Sequence, residues 1–342
     1  MRPCRGINYD ADASLFKSIL LLLFMTEPTL HHVACNDQSG GHSTAYWQWG
    51  DPRSAHVVVC VHGLTRQGRD FDALARALLK QTVGDVRVIC PDVVGRGESD
   101  WLREPADYQL PLYAADMLAL LAQVHRESAV GMLDYVGTSM GGLIGIVLAG
   151  QKALPLPAPV RRLVLNDIGP VLEPSALTRI GSYVGQVERH ASLVDAAASM
   201  RNLSLGFGPH STDEWLALSR HMVVSVAART IDGAAKTDFA SRDISGGPVT
   251  LHYDPAIATP FRSVTVQGAA QGEAIMWALY DAITARTLLT RGADSDLLSH
   301  ASALSMTLRG PRARLIEFDG VGHAPTFVAP EQSAAVVSFL ID

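Results

Sequence analysis

The chain has 342 residues, 48% of them hydrophobic and 18% charged, enough apolar material for one large α/β domain or two smaller ones. A formal net charge of −6, with 28 Lys and Arg that form no dense cluster, leaves no electrostatic footprint for a nucleic-acid partner. The four cysteines (Cys4, Cys35, Cys60 and Cys90) include no C-x-x-C pair, which argues against a zinc or thioredoxin-like site and fits free thiols in a reducing cytoplasm.

At the N-terminus, Ser18 to Met25 reads S-I-L-L-L-L-F-M behind Lys17, the outline of an export signal. Asp10 and Asp12 put acid where positive charge is expected, and His31 and His32 interrupt the place of a cleavage site. The run is also too short to cross a bilayer as a helix. Three readings stand in this order: a leader outside the fold, an amphipathic anchor through Ile19 to Phe24, and a poor export signal. Met25 is an alternative start. Residues 1–43 are accordingly read as an extension, poorly ordered in part. Membrane association is not expected, and the cytoplasm is the assigned compartment.

From residue 44 the pattern becomes regular. Ala45 to Trp49 reads as a strand ended by the turn signal Gly50-Asp51-Pro52. Val57 to Val61 (V-V-V-C-V) is a β-branched run of the kind buried on both faces of a sheet. The spacing predicts a helix over Phe71 to Lys80, a strand over Val86 to Cys90 and a helix over Leu112 to Val124. Leu133 to Val136 reads as a strand running into Gly137-Thr138-Ser139, followed by a helix over Met140 to Ala149. Leu163 to Leu165 is a further strand. The rhythm lapses after Asn166-Asp167-Ile168-Gly169-Pro170 and returns with strands at Thr287 to Thr290 and Arg314 to Phe318, before a last helix over Glu331 to Leu340.

Such alternation implies a mostly parallel central sheet flanked by helices. The expected organisation is an α/β core over 44–170 and 259–342, interrupted at 171–258 by an inserted helical cap. No internal repeat is evident.

The sharpest chemical signal is Gly137-Thr138-Ser139-Met140-Gly141-Gly142. A serine hydroxyl is a poor nucleophile unless it is held exposed and a base takes its proton. In G-x-S-x-G the glycines permit a sharp strand-to-helix turn that lifts the serine above the sheet, and here a strand precedes and a helix follows. His323, in Gly320-Val321-Gly322-His323-Ala324-Pro325, sits on a small flexible loop after the last strand and is the expected base.

A carboxylate must then fix the imidazole tautomer. Asp296 is preferred, because it abuts the apolar pair Leu297-Leu298 that would anchor it facing inward; Asp294 then becomes a solvated turn residue. Asp167 is the outside candidate, read first as a turn or cap residue. Two N–H donors for the oxyanion are expected from Met140 and from Leu64, in the His62-Gly63-Leu64-Thr65 loop, with His62 as a structural brace. Cap residues Tyr183, Met200, Phe207, Trp215 and Met222 are candidates for the substrate lining, beside the alternative of ordinary helix packing. Trp277 and Tyr280 read equally as core. Arg66 and Arg69 read as solvated, with binding of a substrate carboxylate as the alternative.

These pieces resemble the α/β-hydrolase superfamily, in its lid-bearing group of serine esterases. The matching segments are His62-Gly63, Pro91-Asp92-Val93-Val94-Gly95-Arg96-Gly97-Glu98-Ser99, Gly137 to Gly142, Gly292 to Asp296 and Gly322-His323, in the family order from about 57 to 340. The resemblance implies a Ser139–Asp296–His323 triad, a P-D-x-x-G-x-G-x-S loop that supports the site, and a cap at about 171–258. Serine at 139 argues against the dehalogenase, epoxide hydrolase and dienelactone hydrolase branches. The basic Leu64 to Arg69 loop weakens a match to the C–C hydrolases of ring-fission products.

The expected activity is that of a carboxylesterase acting on a small-molecule ester through an acyl-enzyme, as a monomer or homodimer, with no metal or organic cofactor. The same triad acting on another bond (C–C, amide, thioester, lactone or acyl transfer) is the alternative. A non-catalytic ligand-binding member of the fold is a further one.

Overall fold

The computed structural model of the chain describes residues 27–226, 244, 247–262 and 266–342; the leader reading of Ser18 to Met25 lies outside them. In chain order the strands are β1 (Thr29–Cys35), β2 (His42–Gly50), β3 (His56–Val61), β4 (Arg87–Pro91), β5 (Met132–Thr138), β6 (Val160–Asn166), β7 (Arg189–His190), β8 (Val223–Ser225), β9 (Val249–Leu251), β10 (Arg286–Gly292) and β11 (Arg314–Phe318). The main helices are α1 (Asp72–Gln81), α2 (Leu110–Glu127), α3 (Met140–Gly150), α4 (Pro174–Tyr183), α5 (Leu193–Leu203), α6 (Thr212–Arg220), α7 (Val266–Asp281), α8 (His300–Leu308) and α9 (Pro330–Ile341).

Eight strands form one sheet in the order β1-β2-β4-β3-β5-β6-β10-β11. From β4 to β11 every neighbouring pair is parallel, whereas β1 and β2 run antiparallel. The central strands are apolar on both faces because helices cover both. On one face Trp47, Val58, Cys60, Val88 and Val136 pack with Leu74 and Leu78 of α1 and with Val336 and Leu340 of α9. On the other, Val57, Val59, Leu133 and Tyr135 pack with Met117 and Leu120 of α2 and with Ile144 of α3. Cys35, Cys60 and Cys90 are buried free thiols.

Two boundaries differ from expectation. Residues 29–43 are not outside the fold: β1 pairs with β2 along its whole length, from Thr29↔Gln48 to Cys35↔His42. As an edge strand it buries only Val33 and Cys35 fully, so its hydrophobic alternation is too weak to read. The inserted segment is not all helix either. It carries a small antiparallel sheet in the order β7-β9-β8, whose strands of two and three residues are too short to show a period.

Among the described residues, no helix is long and apolar enough to cross a membrane.

Candidate active site

The strand–turn–helix expected at Gly137 to Gly142 is present, and its turn is strained as the chemistry requires. Ser139 stands between β5 and α3 at φ 51°, ψ −118°, in the region L-residues avoid. The close approach holds because residue 141 has no side chain: a Cβ there would lie 2.0 Å from the Val61 carbonyl oxygen of β3.

His323 reaches over the sheet from the loop after β11, and its Nε2 accepts the Ser139 hydroxyl at 3.0 Å. Its Nδ1 donates to Asp167 Oδ2 at 2.7 Å, so the carboxylate bonded to the imidazole is that of Asp167 and not that of Asp296. The sheet order supplies the reason. β6, which ends just before Asp167, is the immediate neighbour of β5, whereas the loop after β10 starts one strand further out, about 5 Å away. Asp167 is fully buried and itself adopts a left-handed φ of 54°.

Asp296 faces outward instead. The Leu297-Leu298 pair is buried as expected, but Asp296 is exposed and bonds both carboxylate oxygens to Arg179 of α4, at 2.7 and 2.8 Å. Asp294 is exposed as well. The loop expected to carry the acid still serves it: Ser295 donates its hydroxyl to Asp167 Oδ2 at 2.6 Å, and the Gly292 N–H donates to Oδ1 at 3.0 Å. Three hydrogen bonds thus converge on one buried carboxylate and fix its orientation. Neighbouring Asn166, also fully buried, binds Thr138, Pro325 and Thr290 through its side chain and so joins β5, β10 and the loop after β11. Sequence reasoning passed over both Asn166 and Ser295; the signal was a run of polar residues directly after a buried strand.

Met140 is the first residue of α3, where a backbone N–H has no acceptor inside the helix. Leu64 lies within the turn closed by Arg66 N–H to Gly63 O, which leaves its own N–H unused by that turn, and it borders the cavity that contains Ser139. His62 is the brace expected of it. Fully buried, it donates from Nδ1 to the Gly63 carbonyl at 2.7 Å and accepts the Val93 N–H at Nε2 at 2.9 Å, which fixes one neutral tautomer.

Burial pushes the His62 pKa down to about 3, against an ordinary value near 6.5. Between these values the unfolded chain takes up a proton that the folded one refuses. Stability from this group is therefore intact above pH 6.5 and lost as pH falls toward 3. Urea unfolding at pH 6 and pH 5 is expected to show the wild type losing about 1 kcal/mol more than His62→Gln over that unit. Equal losses would contradict this.

Arg96, of the P-D-x-x-G-x-G-x-S loop, was not singled out by sequence, yet it bonds the Leu64 loop and lies against Met140, the two residues expected to donate to an oxyanion. Fully buried, it donates to the Leu64 carbonyl at 2.8 Å, the Val94 carbonyl at 2.7 Å and the Tyr113 hydroxyl at 3.1 Å, and lies 3.6 Å from Met140 Sδ. Arg96→Met keeps bulk but releases the Leu64 loop. It is expected to lower kcat/KM by about a hundredfold through misplacement of one donor, as read from initial rates on a p-nitrophenyl ester. A wild-type rate in a folded variant would show that Arg96 only packs.

The cavity above Ser139, about 130 Å³, is roofed by the inserted segment. Tyr183, Met200, Phe207 and Met222, named as candidates for the lining, border it, together with Arg179, Gln186, Glu188 and Tyr253, which were not foreseen. Trp215 does not line it: it stacks behind Phe207 at a centroid distance of 5.9 Å and borders an outer groove instead. Arg66 is not solvated; it borders the cavity but is held by Asp70 at 2.6 and 2.7 Å and lies over the Phe207 ring. Arg69 is likewise held by Asp72 and lies over Trp47. Tyr280 is core, its hydroxyl bonded to the Met306 carbonyl, and Trp277 packs edge-on against it. The inserted segment also touches the catalytic loops directly, since the Gly322 N–H donates to the Gly206 carbonyl at 2.6 Å and the Asp254 N–H to the Gly95 carbonyl at 2.8 Å.

A family model described as the alpha/beta hydrolase fold matches residues 56–201. Over 312 residues the chain is 43% identical to a 3-hydroxybutyrate-oligomer hydrolase of Cupriavidus necator, covering 91% of this chain and 97% of that one. The chain belongs to the α/β-hydrolase superfamily. This α/β hydrolase is also 25% identical over 307 residues to an esterase of Mycobacterium tuberculosis, covering 89% of this chain and 88% of that one. Among solved structures it resembles an alpha/beta hydrolase from Novosphingobium aromaticivorans (TM-score 0.72, 32% identity, 92% of this chain and 98% of that one). A hydrolase from Rickettsia typhi is similarly close, with a TM-score of 0.73 at 25% identity and the same coverage. Fold class and enzyme class agree with the sequence reading: this α/β hydrolase is a carboxylic-ester hydrolase.

Proposed function

We propose that Ser139 is the nucleophile of this ester hydrolase, with His323 as general base and Asp167 as the group that orients it. The observation that carries this reading is the unbroken hydrogen-bond chain from Ser139 Oγ to His323 at 3.0 Å and on to buried Asp167 at 2.7 Å. In this reading His323 Nε2 takes the hydroxyl proton as Oγ attacks the ester carbonyl. The Leu64 and Met140 N–H groups hold the oxyanion of the tetrahedral intermediate. Collapse of that intermediate breaks the ester C–O bond, and imidazolium returns the proton to the departing alcohol. A water molecule, deprotonated by the same imidazole, then cleaves the acyl-enzyme. No metal or organic cofactor enters these steps.

For substrate we propose short oligoesters of small hydroxy acids. The support is the 43% identity to a 3-hydroxybutyrate-oligomer hydrolase over nearly the whole of both chains. The cavity suits such a chain, since its lining combines apolar Ile180, Met200 and Leu251 for methyl groups with polar Gln186, Glu188 and Ser204 for ester groups. The lack of any basic cluster fits a small-molecule substrate and no nucleic acid, and the free buried thiols fit a cytoplasmic location. The test compares linear dimers and trimers of 3-hydroxybutyrate with p-nitrophenyl butyrate. Higher kcat/KM on the oligomers supports the assignment; cleavage of the p-nitrophenyl ester alone overturns it.

A further inference from the structure

A second cluster of chemically capable side chains lies at the β1–β2 edge of the sheet, away from β5, β6 and β11 whose ends carry the triad, and none of its members lines the catalytic cavity. Cys35 ends β1 and His42 opens β2, and the two are directly paired across the hairpin. Asp116 reaches them from α2, which packs against β1. One donor atom from each of these three buried residues lies within 4.8 Å of the others.

We propose that Cys35, His42 and Asp116 form a structural site for a divalent transition-metal ion of the zinc class. Three observations support it. The donor set is one sulfur, one imidazole nitrogen and carboxylate oxygen, the mixture that zinc accepts in tetrahedral sites. His42 is oriented as a ligand is: its Nδ1 meets Asp37 Oδ2 at 3.0 Å, so that Nε2 faces Asp116 Oδ2 at 3.1 Å. That N···O separation suits two ligands of one ion at about 2.0–2.1 Å each. Asp37 is in turn fixed by the Ser39 and Gly41 N–H groups, which makes it the outer partner of the imidazole.

The third observation is independent of the cluster's own hydrogen bonds. Asp116 is 1% exposed, yet its Oδ1 is buried with no hydrogen-bond partner of ordinary geometry among the described residues, the weak Cys35 thiol being the further donor beside the carboxylate. A buried carboxylate oxygen left without a donor is costly, and a cation would satisfy it. Binding releases the Cys35 thiol proton and any proton on His42 Nε2; thiolate, neutral imidazole and carboxylate then sum to two negative charges against the ion's two positive ones. The bound ion would clamp the β1–β2 hairpin to α2. The sequence shows no spaced ligand pair because the three residues come together only through strand pairing and helix docking.

Cobalt(II) is the probe, because its thiolate complexes have a sulfur-to-metal charge-transfer band. Full-length protein is dialysed against a chelator and then titrated with Co²⁺ and, separately, with Zn²⁺. Expected are one equivalent of Co²⁺ bound with that band, and a Tm raised by about 5 °C at a hundredfold excess of Zn²⁺ over Kd. Cys35→Ser is expected to abolish the band and the Tm shift while leaving ester hydrolysis unchanged. Asp116→Asn is expected to weaken Co²⁺ binding, and Cys35→Ser carries the test if that variant does not fold. Absence of stoichiometric binding, a spectrum without the thiolate band, or a band that persists in Cys35→Ser would each overturn the site.

Discussion

Asp167→Asn is expected to lower kcat by about 10⁴-fold with little change in KM, since an amide in that place favours the wrong imidazole tautomer and leaves its charged form unsupported. The carboxylate bonds His323 Nδ1 at 2.7 Å and takes further donors from Ser295 and Gly292, so the amide also disturbs a three-way buried contact. Asp296→Asn is the paired control. It breaks only a half-exposed ion pair to Arg179, a contact worth at most about 1 kcal/mol, and its kcat is expected to stay at the wild-type value. Initial rates on a p-nitrophenyl ester compare the two variants. A loss confined to Asp296→Asn would return the acid to the loop after β10.

Ser139→Ala is expected to lower kcat by about 10⁶-fold, the scale on which removal of a triad nucleophile acts. The loss should match that of His323→Ala and of the double variant, because the two side chains act as one unit. Slow turnover above the water rate is expected to remain, since Leu64 and Met140 contribute main-chain donors that the substitution does not touch. Melting should change little, as the only side-chain hydrogen bond lost among the described residues is the part-buried one to His323. Equal rates for Ser139→Ala and wild type would end the acyl-enzyme account.

The contrast between Ser139 and Asp167 shows what a linear reading can reach. The proposed nucleophile is announced locally, with glycines on both sides, an apolar strand before and a helix after, because the strained turn is a property of adjacent backbone. His323 is nearly as legible, from its glycine-flanked loop after the last strand. The acid is different. Any loop at the carboxyl end of the sheet can present one, and which loop lies beside the serine depends on strand order. That order places β6, and hence Asp167, next to β5. The Asp294-Ser295-Asp296 segment drew attention for a sound reason, since it does reach the site, but through the Ser295 hydroxyl and the Gly292 N–H. Its aspartates turn outward.

The fold follows the same division. Strands buried on both faces, such as Val57 to Val61, are legible because burial demands an unbroken apolar run. β1 is not, because an edge strand with His31 and His32 partly exposed has no such demand. The small sheet of the inserted segment escaped for want of length. Arg96 shows a third limit: the motif marks its loop as a support of the site, but only the packed structure reveals that the arginine itself bonds the Leu64 carbonyl and lies against Met140.

The central claim is that Ser139 becomes covalently acylated, driven by His323 and Asp167. Its most direct measurement is labelling with an alkyl p-nitrophenyl phosphonate, which loses p-nitrophenolate to an activated serine, followed by mass spectrometry of the intact chain and its peptides. The account predicts one adduct per chain, on the peptide that contains Ser139, formed far more slowly in Asp167→Asn and at the wild-type rate in Asp296→Asn. An adduct on another residue, or slowing by Asp296→Asn equal to that by Asp167→Asn, would contradict it.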